Sequence, residues 1–388
     1  MTSFEFHSVR RVVCAPGAAL DLGAECRALG VDHLLLVTDP GLIEIGLISP
    51  VLGALREAGL QVTLFDQVKE DPPEETVAAA VERGRGAGVE GVAAVGGGSS
   101  MDVAKVVAAL LAGDQPLSDM YGVGRVRGGR LPLVLVPTTA GTGSEATPVA
   151  VITTGATTKA GVSSPVLLPD VAVLDPDLTL GLPPSITAIT GVDAMVHAIE
   201  AYTSKHKKNE LSDGLARQAL AKLSNHIRTA YRDGGDRAAR SQMLLGAMLA
   251  GQAFANAPVA AVHALAYPLG GHYKLPHGLS NSLVLPAVLE FNLPAAASLY
   301  AELAPIVVGA PAAGSDLDRA TAFIEALRRL IADLEMPATL EQAGVPEGDL
   351  EMLAEEAMLQ QRLLVNNPRD VAYGDALSIY RAAYRGAP

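Results

Sequence analysis

Short runs of apolar residues alternate with helical patterns through the first half of the chain. The runs at 33–38, 92–95 and 133–136 are continuously apolar, which is typical of strands buried on both faces. Predicted strands lie at Arg11–Cys14, His33–Thr38, Gln61–Phe65, Val92–Val95, Leu133–Val136 and Val171–Leu174. Helical periodicity between them, at about 42–59, at about 74–87 and after Ser99, predicts a parallel sheet with helices on both faces.

Beyond Val171–Leu174 and the breaker Leu182-Pro-Pro184, the pattern becomes helical to the end of the chain. The predicted helices cover about 185–203, 210–232, 236–255, 258–270, 281–291, 294–308, 316–334, 348–360 and 370–385. We therefore expect two domains. An α/β domain would span residues 1–183, and an all-helical domain would span residues 184–388.

Composition excludes several classes of protein. The chain has 388 residues, of which 49% are hydrophobic, but no apolar run reaches the 18 residues of a membrane span. A net charge of −13, 4% aromatic residues and no Trp argue against binding to nucleic acid. The two cysteines, Cys14 and Cys26, form no disulfide framework and are expected to be buried. With no signal-peptide pattern at the N-terminus, these features favour a cytoplasmic protein without membrane or nucleic-acid partners.

Two loops rich in small residues follow predicted strands. Gly96-Gly-Gly-Ser99 ends one strand and opens a helix, where backbone N–H groups can accept a pyrophosphate. The loop 137–145, PTTAGTGSE, follows another strand. Each loop alone is more often a tight turn, but ligands bind beyond the carboxyl ends of parallel strands, so the pair indicates a nucleotide site.

Asp39 follows the strand His33–Thr38, where a carboxylate can accept hydrogen bonds from ribose hydroxyls. It would repel a 2′-phosphate and so favour NAD over NADP. The alternative is that Asp39-Pro40 only begins a helix, and the sequence leaves both interpretations open.

Four residues of the second half could bind a metal. Asp193 and His197 lie four residues apart, which places both on one helix face, and His263 and His277 follow in a histidine-rich stretch. These ligand types suit zinc or iron(II) and suit calcium poorly. Taken singly, each residue has an interpretation that involves no metal. Asp193 and His197 could lie on a solvated helix face, His263 could be a core histidine, and His277 could be a polar residue in a turn.

The motifs together resemble the iron-containing (group III) alcohol dehydrogenases. They are GGGSSMDVAK (96–105), PTTAGTGSE (137–145), GVDAMVHAIEAY (191–202), HALAYPLGGHYKLPHG (263–278) and Asn367-Pro-Arg369. The resemblance implies a dehydroquinate synthase-like fold, NAD, Fe²⁺ or alternatively Zn²⁺, and a homodimer or larger oligomer. It also implies that Asp193, His197, His263 and His277 bind the metal. Positions that it assigns to the dinucleotide are Asp39, Gly97, Gly98, Ser99, Asp102, Thr138, Thr139, Thr142, Ser144 and Lys159.

One position departs from the family pattern. Many members carry a second histidine four residues after the first histidine of this motif, and here that residue is Tyr267. A tyrosine, with an ordinary pKa of about 10, is a poorer proton shuttle at neutral pH. Tyr267 and His277 are the catalytic candidates, and Val149, Phe254 and Tyr267 are the candidates for the substrate pocket.

The expected reaction is reversible hydride transfer between a small primary alcohol, or a hydroxy acid, and NAD, giving the aldehyde. The alternatives are a maleylacetate-reductase-like or hydroxyacid–oxoacid transhydrogenase-like activity, and a non-redox metal lyase of the dehydroquinate synthase type. A non-catalytic nucleotide sensor is the alternative from another functional class.

Overall fold

The computed structural model describes residues 3–155, 158–309 and 313–386, and these form two compact units. The first unit, His7–Gly181, contains every strand found in the described residues. These strands are β1 (Arg11–Cys14), β2 (His33–Val37), β3 (Gln61–Phe65), β4 (Gly91–Gly96), β5 (Gly122–Val123), β6 (Leu133–Pro137), β7 (Val149–Thr154), β8 (Thr158–Ser163) and β9 (Val171–Leu174). Its helices are α1 (Leu22–Ala28), α2 (Pro40–Glu44), α3 (Ile48–Glu57), α4 (Glu74–Ala87) and α5 (Gly98–Leu111).

Six parallel strands form the main sheet, in the order β1-β9-β6-β4-β2-β3. The strand order reverses beside β2, because β3 pairs with one edge of β2 and β4 pairs with the other. Such a reversal opens a crevice at the carboxyl ends of the strands. The residues that follow β2, β4 and β6 therefore meet at the same edge of the sheet.

Alternate side chains of the central strands belong to two separate cores. Leu34 and Leu36 of β2 pack in one cluster with residues of α1 and α3. Leu35 and Val37 pack in the other cluster with residues of α4 and α5. Because both faces of the sheet are covered, its central strands β4 and β6 are continuously apolar, which explains the pattern in the sequence.

Two features of this unit differ from the sequence prediction. A second sheet, β5-β8-β7, was not predicted, since β8 (TKAGVS) is polar and β5 has only two residues. The single helix expected at about 42–59 is divided into α2 and α3, with Gly46 at a positive φ of 77° between them. Cys26 is buried as expected, but Cys14 is exposed because β1 is an edge strand.

The second unit comprises residues 182–386 together with residues 3–6. In the part that the structure describes, all of its regular secondary structure is helical, so the predicted fold class is confirmed. Its helices are α6 (Pro184–Thr203), α7 (Glu210–Arg232), α8 (Arg237–Asn256), α9 (Ala261–Tyr273), α10 (His277–Val308), α11 (Asp316–Asp333), α12 (Leu350–Ala357), α13 (Gln361–Leu364) and α14 (Tyr373–Arg385).

Helix α10 is a single element of 32 residues, although two helices were predicted for 281–308. It continues through Pro286, Pro294 and Pro305. Each proline removes one backbone hydrogen bond, and packing against α6, α9, α11 and α14 outweighs that loss. By length and composition alone α10 could span a membrane, but 50% of its most apolar window is buried, as in the core helix of a soluble protein.

Candidate functional site

Three helices of the second unit bring together the four predicted metal ligands. Helix α6 carries Asp193 and His197 one turn apart, α9 carries His263, and α10 begins at His277. One ligand atom from each residue lies within 4.8 Å of the others. Asp193, His197 and His263 are buried, whereas the His277 side chain is 35% exposed, so the cluster is accessible from the side of His277.

A glycine allows α10 to begin directly against α6. A Cβ on Gly278 would lie 2.3 Å from the backbone oxygen of Ile189 and 3.0 Å from Cβ of Asp193. Only glycine allows so close an approach of two helix backbones. Gly278 therefore sets the distance between His277 and the ligands on α6.

Asp193 supplies the negative charge of the cluster. Its Oδ1 lies 3.9 Å from Nε2 of His197 and 3.8 Å from Nε2 of His277. Burial raises the pKa of Asp193, but the three nearby histidines and a hydrogen bond from Asn281 outweigh it and hold that pKa below its ordinary value. Asp193 is thus an ionised oxygen donor at neutral pH.

Two further side chains contact the cluster, and the sequence analysis missed both. Asn281 donates from Nδ2 to Asp193 Oδ1 at 2.7 Å, and the same nitrogen lies 3.3 Å from Nε2 of both His263 and His277. Glu200 accepts a hydrogen bond from His263 Nδ1 at 2.6 Å. Helical spacing offered a signal for both, since Glu200 follows His197 by three residues and Asn281 follows His277 by four.

The cluster fits a divalent transition metal. It presents one carboxylate oxygen and three imidazoles, the donor types that iron(II) and zinc accept. Asp193 and Glu200 are only 3% exposed, and among the described residues no Lys or Arg forms an ion pair with either. Two buried carboxylates without a cationic side chain are costly, and a bound dication would offset both charges.

Two aromatic side chains border the cluster. The Phe254 ring of α8 lies 4.4 Å from the ring of His197, centroid to centroid. The Tyr267 ring of α9 lies 5.9 Å from that of His277, and its hydroxyl accepts a hydrogen bond from Arg362 Nη2 at 3.4 Å. Of the three predicted pocket residues these two adjoin the cluster, and Val149 lies on β7 of the first unit.

A second candidate site lies in the first unit, beyond β2 and β4. A cavity of about 440 Å³ is lined by Asp39 and by Gly97, Gly98 and Ser99, together with residues 40–41, 68–70 and 100. Asp39 also caps α2, since its Oδ1 accepts from the N–H of Leu42 at 3.0 Å. The position of Asp39 is thus compatible both with binding a ribose in the cavity and with beginning helix α2.

The two small-residue loops contact each other at this edge of the sheet. A Cβ on Gly98 would lie 2.8 Å from Cγ2 of Thr142, and one on Gly97 would be 3.9 Å from Thr139. Thr138 is buried, and its N–H donates to the oxygen of Gly96 at 3.0 Å. The loop after β6 therefore braces the glycines that line the cavity.

Three other predicted cofactor residues are engaged in contacts away from the cavity lining. Ser144 donates to Asp102 Oδ1 at 2.6 Å, and buried Lys105 donates to Ser144 Oγ at 2.7 Å. Burial raises the pKa of Asp102 and lowers the pKa of Lys105 to about 8. Lys159, on β8, pairs with Asp71 Oδ1 at 2.6 Å.

Comparison with known proteins gives one consistent family. Residues 9–176 match the family model described as iron-containing alcohol dehydrogenase, and residues 187–384 match the model of the C-terminal part of the Fe-containing alcohol dehydrogenase family. The chain is 40% identical to long-chain-alcohol dehydrogenase 1 of Geobacillus thermodenitrificans, over 98% of each chain.

Solved structures agree over nearly the whole chain. A 1,3-propanediol oxidoreductase structure is 35% identical with a TM-score of 0.95, covering 99% of this chain and all of that one. Sulfoacetaldehyde reductase from Bifidobacterium kashiwanohense, solved with NAD⁺, is 28% identical with a TM-score of 0.88 over 99% of both chains. The match spans both units and both family models, so the chain belongs to the iron-containing alcohol dehydrogenase family and is an alcohol dehydrogenase.

Proposed function

We propose that this enzyme oxidises small primary alcohols to aldehydes, reversibly, with NAD⁺ and a divalent iron held by Asp193, His197, His263 and His277. The observation that carries the proposal is the four-residue cluster, in which one oxygen and three nitrogen donors converge within 4.8 Å. Zinc is the alternative metal, because the same donor set accepts it.

Each residue of the cluster has a separate part in this proposal. A metal held in this position would act as a Lewis acid toward a substrate hydroxyl. Asp193 offsets part of its charge, and the three imidazoles fix its position. Phe254 packs against the ring of His197 and so limits how far that ring can move. His277, the most exposed of the four, marks the side from which substrate enters.

Tyr267 and Arg362 form the proton route in this proposal. The Tyr267 hydroxyl accepts a hydrogen bond from Arg362 and keeps its own proton available for donation. Arg362 is exposed, so the pair leads from the neighbourhood of His277 toward solvent. Tyr267 would hold or pass the proton that the alcohol loses on oxidation.

The cavity beyond β2 and β4 is the proposed dinucleotide site. Gly97, Gly98 and Ser99 begin α5, whose first N–H groups and dipole suit a pyrophosphate. Asp39 lines the same cavity and suits a ribose with a free 2′-hydroxyl, so NAD is preferred to NADP. The NAD⁺ complex of the Bifidobacterium relative supports this choice.

The substrate is proposed as a small, weakly polar primary alcohol or a hydroxy acid, with Phe254 and Tyr267 as pocket walls. The ring of Phe254 is apolar, which favours an alkyl chain. The related proteins act by name on long-chain alcohols, 1,3-propanediol and sulfoacetaldehyde, so membership of the family leaves the chain length open. We also propose a cytoplasmic homodimer or larger oligomer, which light scattering on the purified enzyme tests.

The test is an assay of NAD⁺ reduction on ethanol, 1,2-propanediol, 1,3-propanediol, 1-octanol and 4-hydroxybutyrate, after anaerobic purification. Turnover on at least one, lost on chelation and restored by Fe²⁺ or Zn²⁺, is expected. Bound metal without NADH formation on any of them, but with conversion when an oxoacid acceptor is added, would replace the proposal with a transhydrogenase.

A further inference from the structure

We infer that Glu200 is a positioning residue that fixes the tautomer and orientation of His263 for metal binding. The inference rests on the proposed metal centre. Glu200 lies on α6 and is 3% exposed, one turn beyond His197. It has no assigned part in the resemblance or in the reaction described above.

Both oxygens of the Glu200 carboxylate accept hydrogen bonds from the first residues of α9. Oε2 accepts from His263 Nδ1 at 2.6 Å, and Oε1 accepts from the backbone N–H of Val262 at 2.7 Å. The first N–H groups of a helix have no partner within the helix, and Ala260, at the N-cap of α9, offers no side-chain cap. The carboxylate of Glu200 therefore caps α9 and also holds the ring of His263 in place through a hydrogen bond.

The contact of His263 with Glu200 determines which ring nitrogen carries the proton. Because a carboxylate only accepts, the proton of the His263 ring lies on Nδ1. With the proton on Nδ1, the opposite nitrogen, Nε2, presents a lone pair, and it lies 3.3 Å from Nδ2 of Asn281. That lone pair is directed into the cluster formed with Asp193, His197 and His277. A ring held in this way is ready to bind a metal without rotating or losing a proton.

The carboxyl group of Glu200 also affects metal binding electrostatically. A dication held by Asp193 and the three imidazoles would lie near this second buried carboxyl group, which would stabilise it. A carboxylate that accepts from a ligating histidine also makes the ring a stronger donor.

The test is a titration of Co²⁺ into the metal-free protein, followed by its visible absorption. In Glu200→Gln, one amide oxygen replaces two acceptors, so either Val262 or His263 loses its partner. The dissociation constant for Co²⁺ should rise roughly 10- to 100-fold, and the absorption bands should shift. Should Glu200→Gln fail to fold, Glu200→Asp, which keeps the charge but is one methylene shorter, is expected to weaken Co²⁺ binding as well.

Tyr380→Phe is the matched control. The buried Tyr380 hydroxyl donates to the oxygen of Leu265 at 2.6 Å, so this variant removes another buried hydrogen bond to α9. It should lower the melting temperature while leaving the dissociation constant for Co²⁺ within about 2-fold of the parent. If Glu200→Gln binds Co²⁺ as tightly as the parent protein does, the inference about Glu200 is wrong, but the proposed metal centre is unaffected. A parent protein that binds no Co²⁺ would overturn the proposed metal centre, and the inference with it.

Discussion

Replacing Gly278 with alanine should damage stability and metal binding together. The added methyl group would lie 2.3 Å from the backbone oxygen of Ile189, whereas ordinary contacts begin at 3.4 Å. The start of α10 must therefore move roughly 1 Å away from α6, because neither partner is a flexible side-chain end. Overpacking of this kind costs about 1–3 kcal/mol, from which the better helix propensity of alanine recovers less than about 1 kcal/mol.

The same displacement separates His277 from Asp193. Metal–ligand distances tolerate only about 0.2 Å, so a shift of roughly 1 Å should lower metal affinity by more than tenfold. The assay combines urea unfolding of the metal-free protein with metal analysis after dialysis. Gly270→Ala is the control: its methyl group would lie 3.5 Å from the oxygen of Leu275, an ordinary contact, and should leave both quantities at or above parental values. Parental stability and full metal content in Gly278→Ala would refute the argument that this close approach sets the site.

Four further outcomes follow from the structure. His263→Ala should abolish stoichiometric metal and turnover, and retention of both would place the metal elsewhere. Tyr267→Phe should lower kcat about 100-fold, with little change in KM, and should alter the dependence of kcat on pH. Tyr267→His should move the pH optimum of kcat downward. If neither variant changes the pH dependence of kcat, the tyrosine is not part of the proton route. Asp39→Asn keeps the cap on α2 but should raise the KM for NAD⁺ about tenfold and narrow the preference over NADP⁺, as measured in NAD⁺ and NADP⁺ titrations. Burial raises the pKa of Glu145 to about 7 from 4.5, so the folded state keeps a proton that the unfolded chain loses, and stability should fall as the pH rises from about 4.5 to about 7. The difference in unfolding free energy between the parent protein and Glu145→Gln should change across this range, and a difference that stays constant with pH would contradict the assignment.

The sequence predicted the fold well where burial has a regular period. Strand β2 is apolar from Leu34 to Val37, and β4 contains only small and apolar residues, because both faces of the sheet are covered. That pattern is visible without a structure. It failed where tertiary packing overrides local preference. Helix α10 runs through Pro294, where a break was predicted, and the polar strand β8 is held by its pairing with β7.

The candidate metal site was predicted from spacing and residue type, and its supporting residues were not. Asp193 and His197 share a helix face, so their proximity follows from the sequence. The supporting contacts join residues on different helices, α6, α9 and α10, so they depend on how these helices pack. They are made by Gly278, Glu200 and Asn281. For the dinucleotide loops, strand order placed Asp39 beside Gly97 and Gly98, but the sequence could not show that Asp102 and Ser144 bond to each other. The ligand and cofactor assignments themselves stay predictions.

The most direct test of the account is anomalous diffraction from crystals of the anaerobically purified enzyme, recorded on both sides of the iron and zinc edges. We predict one strong peak between Asp193, His197, His263 and His277, at about 2.0–2.3 Å from a donor atom of each. The absence of a peak there, or a peak bound by other residues in crystals of active enzyme, would contradict the central claim that this cluster is the metal centre.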